Sequence, residues 1–207
     1  MAGKFIVFEG IDGSGKSVMA RKAKEFLINE KRINGNGIVL TQEPTNSSFG
    51  TKAKFMQATE FDPMKSAEEC LGLYLKDRMH HLRFLIEPSL QMNKFVLCDR
   101  YKYSTFVYQS LQGIDKKRII DLHSDLRIPD LILVFDIRAG IALERMNKDY
   151  GRKQLEKFEE KDFLSRASRE FSELKLFFPK ENIKLIDAEK SKEQVFEEVK
   201  KRINEIL

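Results

Sequence analysis

Near the start of the chain, Gly10-Ile11-Asp12-Gly13-Ser14-Gly15-Lys16-Ser17 sets a lysine and a hydroxyl behind three glycines. The spacing is that of the phosphate-binding pattern G-x-x-x-x-G-K-[ST]. Phosphate oxygens need several converging backbone N–H donors, and a loop closes around them only where no Cβ obstructs it, hence Gly10, Gly13 and Gly15. Lys16 adds a point charge between the β and γ phosphates, and the Ser17 hydroxyl offers one ligand to Mg2+. The stretch Gly10 to Ser17 therefore predicts a site for ATP with Mg2+.

Three other stretches carry candidate chemistry. The apolar run Lys94 to Cys98 ends in Asp99-Arg100-Tyr101. An acidic residue at that tip can hold magnesium through water, and Arg100 can fork onto a phosphate. Ser104 then reads as the N-cap of a helix whose Thr105, Tyr108 and Gln109 either line a base and sugar or simply solvate the helix. Tyr74 and Arg78 lie four apart in a helical pattern, so ring and guanidinium either converge on a planar ligand or form a surface pair. His80, His81 and His123 show no metal-ligand spacing, and Cys70 and Cys98 read as small buried hydrophobes.

The elements that must position these residues follow from hydrophobic patterning. Strand-like runs fall at 4–8, 37–41, 94–98, 130–137 and 182–187, separated by helical periodicity. Continuous apolar runs alternating with helices imply an α/β fold, a five-stranded parallel sheet flanked by helices, with ligands at the carboxyl ends of the strands. Leu71, Leu75, Met79, Leu82 and Ile86 mark the core stripe of a helix from Ser66 to Glu87. Pro44, after Gln42-Glu43, should stop the second strand and turn the chain over the sheet edge. At 207 residues without internal repeats or a linker, the chain reads as one domain over 1–207. It has no apolar run of membrane-spanning length and no signal peptide, which points to the cytoplasm and to no membrane partner. The net charge of +5 is modest and spread along the chain, fitting polyanionic small molecules and calling for no nucleic acid.

Taken together, these motifs resemble the thymidylate kinases among the phosphate-loop nucleoside monophosphate kinases, the phosphate-loop NTP hydrolase fold. The likeness runs from Phe8 almost to the C-terminus. It is carried by Phe8 to Ser17, by Asp99-Arg100-Tyr101 with Ser104-Thr105 and Tyr108-Gln109, and by Asp77-Arg78. Pro129-Asp130-Leu131, Ala142-Leu143-Glu144-Arg145 and Ile186-Asp187-Ala188 support it. The resemblance implies transfer of the γ-phosphoryl of ATP to dTMP, giving dTDP and ADP. It places Asp12 near the acceptor sugar and its phosphate, with Arg100 on that phosphate. Tyr74 would stack on thymine, Arg78 would donate to O4 and Thr105 would lie near N3. Tyr108 would stand where a ribose 2′-hydroxyl projects, with Glu43, Pro44 and Gln109 completing the acceptor side. Arg145 and Ala188 would fall on the donor side, and Ser17 and Asp99 on the metal. A homodimer is implied as well.

Two departures from the family pattern matter. Gly13 stands where some members carry an arginine after the loop aspartate, so catalytic positive charge is expected from a helical lid at about 148–160, from Arg152 or Lys157. Gln42 stands where arginine is common, which leaves room for dUMP or another pyrimidine acceptor. A deoxyribonucleoside kinase would share the sheet, the loop and Glu43-Pro44. It would however need a carboxylate base and a further arginine soon after Arg100, and positions 101–106 hold none. A non-catalytic nucleotide- or nucleic-acid-binding protein would leave the acceptor-side motifs without purpose.

Overall fold

The computed structural model describes residues 2–59, 66–150 and 157–207. In chain order it runs β1 (Phe5–Glu9), α1 (Lys16–Asn29), β2 (Ile38–Gln42), α2 (Ser48–Thr59) and α3 (Ala67–His81). A π turn (Leu82–Ile86) leads into α4 (Glu87–Gln91), β3 (Phe95–Asp99), α5 (Lys102–Leu111) and α6 (Lys116–Leu122). β4 (Leu131–Asp136), α7 (Ala139–Tyr150), α8 (Lys157–Ser172), α9 (Leu174–Phe177), β5 (Ile183–Asp187) and α10 (Lys192–Asn204) complete it. Each expected strand is present, its first residue one later than the apolar run began.

All ladders are parallel, in the order β2-β3-β1-β4-β5. β1 is wholly buried, as are β3 and β4 up to their last residues, whereas most residues of the edge strands β2 and β5 are at least partly accessible. Central strands covered on both faces by helices must be apolar throughout; edges need not be. The chain leaves β1 for β2 on one side and reaches β4 on the other, so the crevice over the carboxyl ends of β1 and β3 lies at the topological switch point. Glu9, Gln42 and Asp99 end their strands there.

The long helical pattern differs from expectation. Leu71, Leu82 and Ile86 are buried, but Met79 is 55% exposed and Leu75 only half-buried, while Asp77, Arg78 and His81 face inward. That face of α3 serves polar partners at the strand ends instead of apolar core. The helix also continues past Glu87, through a widened turn in which the Glu87 N–H reaches the Leu82 carbonyl. Pro88 supplies the cause: it has no N–H for the Phe84 carbonyl, and its ring crowds that oxygen.

Phe135 is 1% exposed and stacks on Phe8 with centroids 6.2 Å apart. Its carbonyl also backs onto Gly10, where an added Cβ would come within 2.8 Å. Phe135→Ala is expected to lower unfolding stability by about 3–5 kcal/mol in urea titration.

Candidate active site

The loop after β1 closes through two residues of left-handed backbone. Gly13 has φ +78°, and a Cβ there would lie 2.4 Å from the Ala142 carbonyl of α7. Gly15, at φ +87°, is the N-cap of α1, leaving the first amides of the helix pointing into the loop. Ile11 anchors the loop in the core, and the buried Ser14 hydroxyl has no hydrogen-bond partner among the described residues. Lys16 is 5% exposed and donates weakly to the Ile11 carbonyl (3.4 Å) and to Asp12 Oδ1 (3.3 Å). Burial, followed by repulsion from Arg100, lowers its pKa against the pull of Asp12 and Asp99.

Two cations thus converge on one exposed carboxylate, because Arg100 NH2 also donates to Asp12 Oδ1 at 2.6 Å. Partial desolvation pushes Asp12 up, but Arg100 and Lys16 outweigh it and hold the carboxyl at about 2. Arg100 NH1 donates to the Ser104 hydroxyl at 2.9 Å, and its guanidinium lies 5.4 Å from the centroid of the Tyr108 ring. The result is a cluster of positive charge, offset only in part by Asp12, at the mouth of the phosphate loop.

Ser17 Oγ donates to Asp99 Oδ2, while the buried Asp99 Oδ1 has no partner among the described residues. A hydroxyl beside a carboxylate oxygen left with free lone pairs fits the donor set of a hydrated magnesium ion.

Ser104 is not an N-cap, contrary to the sequence reading. α5 starts two residues earlier, with Tyr101 at its cap and no capping side chain. The acceptor comes instead from β1: Glu9 Oε1 takes the Tyr101 N–H (2.7 Å) and the Ser104 N–H (3.2 Å), and Oε2 takes the Ser104 hydroxyl (2.6 Å). Burial pushes Glu9 up to about 7 against these bonds and the charge of Arg100.

Between α3, α5 and the strand ends lies a cavity of about 440 Å3. Asp12, Glu43, Pro44, Tyr74, Arg78, Arg100, Thr105, Tyr108 and Gln109, the whole expected acceptor side, line it. Arg78 is no surface residue: at 2% exposure its Nε donates to Glu43 Oε2 (2.7 Å), NH1 to His123 Nε2 (2.8 Å) and NH2 to Thr105 Oγ1 (3.0 Å). His123 Nδ1 faces the Ile119 carbonyl at 2.7 Å. Burial and the neighbouring Arg78 push His123 down to about 3, so it stays a neutral acceptor for the guanidinium. Three of the five guanidinium N–H groups are so committed, leaving two for a ligand.

Glu43 Oε1 meets His81 Nδ1 at 2.9 Å, and His81 Nε2 meets Thr41 Oγ1 at 2.8 Å. Glu43, His81 and Cys98 bring ligand atoms within 4.8 Å of one another, a grouping that sequence spacing did not disclose. Each of these atoms is already engaged: the Cys98 thiol donates to the Arg100 carbonyl, and burial pushes its pKa well up. The grouping is a hydrogen-bond network. Asp77 stabilises the loop after Pro44, accepting from the Thr45 N–H (2.7 Å) and from both the Thr45 and Ser47 hydroxyls (2.5 Å each).

Sequence reading missed other lining residues: Gln57, Cys70 and Gln112, and Met146, Phe163 and Leu164 from α7 and α8. Phe163 stacks on Tyr108 at 6.1 Å. Gln42 is exposed and does not line the cavity, so no contact backs its expected influence on acceptor choice. Ala188 is 1% exposed, its N–H bonded to the Asp136 carbonyl, and Arg145 is half-buried on α7. Ala188 therefore offers a donor base almost no accessible surface. Arg152 and most of the expected lid lie outside the described residues, and Lys157 is described only as the backbone start of α8.

Comparison with known proteins agrees along nearly the whole length. A family model described as thymidylate kinase matches residues 8–199. The chain is 33% identical to a thymidylate kinase of Brachyspira hyodysenteriae, covering 99% of this chain and 95% of that one. It is 38% identical to a probable thymidylate kinase of Archaeoglobus fulgidus, covering 98% and 95%. A crystal structure of thymidylate kinase from Ehrlichia chaffeensis superposes with a TM-score of 0.74 at 26% identity, covering 98% of this chain and 100% of that one.

Arg78→Met should cost about 3–5 kcal/mol of stability in urea titration, because Glu43 is left buried without its counter-charge. Adding Glu43→Gln should recover much of that loss.

Proposed function

Because the chain belongs to the thymidylate kinase family, we propose that it transfers the γ-phosphoryl group of ATP to dTMP, giving dTDP and ADP. The observation that carries this reading is the joining of a phosphate loop to a cavity whose inner end is the buried Arg78 network. The acceptor phosphate enters where Asp12 now holds Arg100 and Lys16, taking those cations for its own oxygens. One of these oxygens bonds to the γ phosphorus while the bond to the bridging β–γ oxygen breaks, its electrons leaving with ADP. The nucleophile is already anionic, so the chain's task is alignment and charge neutralisation, without a general base. Ser17 and Asp99 would hold Mg2+, which when bound supplies positive charge to the β and γ phosphates. Arg145 and residues near Ala188 would lie towards the donor nucleoside. Closure of a lid at about 148–160, with Arg152 or Lys157 as its cation, would exclude water that otherwise hydrolyses ATP.

Base choice follows from hydrogen-bond sense. The two free N–H groups of Arg78 and the acceptor lone pair of Thr105 suit the O4 and N3–H of thymine, with Tyr74 against the ring. Cytosine presents a 4-amino donor to Arg78 and no proton at N3, leaving buried groups unpaired, a mismatch that discriminates strongly. Uracil lacks only the 5-methyl group, worth about 1 kcal/mol.

The chain over 1–207 is read as one nucleotide kinase domain working in the cytoplasm, where reduced thiols such as Cys70 and Cys98 are the norm. Among the described residues, no helix is long and apolar enough to cross a membrane. A homodimer through α3 and the π turn would cover Met79, Phe84 and Leu85, exposed by 55%, 61% and 37%. On that reading, Phe84→Glu shifts the protein from dimer to monomer in size-exclusion chromatography with light scattering.

ADP release measured with ATP, Mg2+ and a panel of acceptors should rank dTMP above dUMP by about tenfold or less, and dUMP above dCMP by about a hundredfold. Thymidine should be inert, and activity on thymidine alone would point to a nucleoside kinase. Lys16→Ala and Arg100→Ala should each lower kcat by about a hundredfold or more in a folded protein.

A further inference from the structure

Glu9 ends β1 at 0% exposure, yet the transfer chemistry above gives it no part. Its carboxylate faces α5, not the phosphates. All three of its partners are donors: the Tyr101 N–H, the Ser104 N–H and the Ser104 hydroxyl. With its proton committed to Glu9, the Ser104 hydroxyl presents lone pairs to its other neighbour, Arg100 NH1. Arg100 itself has φ +70°, a backbone conformation that side-chain-bearing residues keep only when their surroundings impose it. The amides on both sides of that turn are fixed to β1, the Arg100 N–H on the Phe8 carbonyl (2.9 Å) and the Tyr101 N–H on Glu9.

We propose that Glu9 is the positioning residue for Arg100: its ionised carboxylate, acting through the Ser104 hydroxyl and the Tyr101 amide, holds the guanidinium where the acceptor phosphate is gripped. This rests on the thymidylate kinase reading of the site. Ionisation matters because a protonated Glu9 would donate to Ser104, whose own proton would then have no acceptor and whose lone pairs would be shared between two donors. The ionisable groups facing Glu9 are Arg100 and Cys98 from the end of β3, and Tyr103 and Tyr108 from α5. Burial raises the pKa of the thiol and of both phenols, leaving Arg100 as the charge Glu9 meets. Because burial pushes Glu9 up to about 7, its charge changes across neutral pH.

The test compares Glu9→Gln with the parent protein between about pH 5.5 and 9, its fold checked by near-UV circular dichroism and thermal midpoint. The acceptor phosphate titrates near pH 6 on its own, but it is common to both proteins and cancels in the ratio of their kcat/KM values for dTMP. That ratio, parent over variant, should be near one at the acid end and rise to about tenfold or more above pH 8, while KM for ATP changes by less than about twofold. A ratio that stays near one, or is elevated equally at every pH, overturns the proposal. Should Glu9→Gln fail to fold, Ser104→Ala cuts the same connection. With the Tyr101 amide still on Glu9, loss of the hydroxyl route should raise KM for dTMP about fivefold or more with KM for ATP unchanged, and a parental KM for dTMP would overturn the part assigned to Ser104. No turnover by the parent with any nucleoside monophosphate would overturn the functional reading itself, whereas normal parental turnover with a flat ratio overturns only the role of Glu9.

Discussion

Arg78 is buried to 2% exposure, and a guanidinium so far from water has to be answered by a carboxylate and by acceptors for its N–H groups. The answers come from four places in the chain: Glu43 at the end of β2, His123 after α6, Thr105 in α5, and, one step removed, His81 bracing Glu43. Satisfying that one charge fixes how α3 and α5 stand over the sheet, and so fixes the walls of the cavity between them. It also decides what the cavity can accept. A network that holds His123 neutral and spends Glu43 on Arg78 and His81 leaves only donors on Arg78 to meet a ligand, which must therefore bring an acceptor.

At the other end of the cavity the electrostatics are arranged differently. Lys16 and Arg100 share Asp12, and the exposed carboxylate stands where an anion would bind. Asp12 offsets part of this charge without closing the cluster off, so an incoming phosphate would exchange one set of ion pairs for another. On the proposed reading, a buried fixed network at one end of the cleft and an exchangeable exposed one at the other would divide base recognition from phosphate chemistry.

Much of this was legible in the sequence where the signal is local. The phosphate loop is set by a few fixed positions within eight residues, and the strands by apolar runs that only a sheet covered on both faces requires. Asp99-Arg100 could be read because the acidic residue ends such a run. What could not be read depends on partners far away. Whether Arg78 is a surface residue or a buried reader of a ligand is decided by Glu43 and His123, 35 and 45 positions distant. A serine before a helix is the usual cap, which points to Ser104, but the acceptor comes from Glu9, 92 positions from Tyr101. Met79 was counted as core because its spacing fits, though α3 turns polar groups inward at that level. Nothing local in the sequence marks Phe163 and Met146 as cavity walls.

On the proposed function, a phosphoryl group passes from ATP to a nucleotide phosphate held in this cleft. Phosphorus NMR of the protein with Mg2+, ATP and dTMP tests it without any coupling enzyme. The account predicts that the terminal phosphate resonances of ADP and dTDP grow together in equal amounts as ATP and dTMP decline. Growth of inorganic phosphate alongside unchanged dTMP, or a spectrum that does not change, would contradict it.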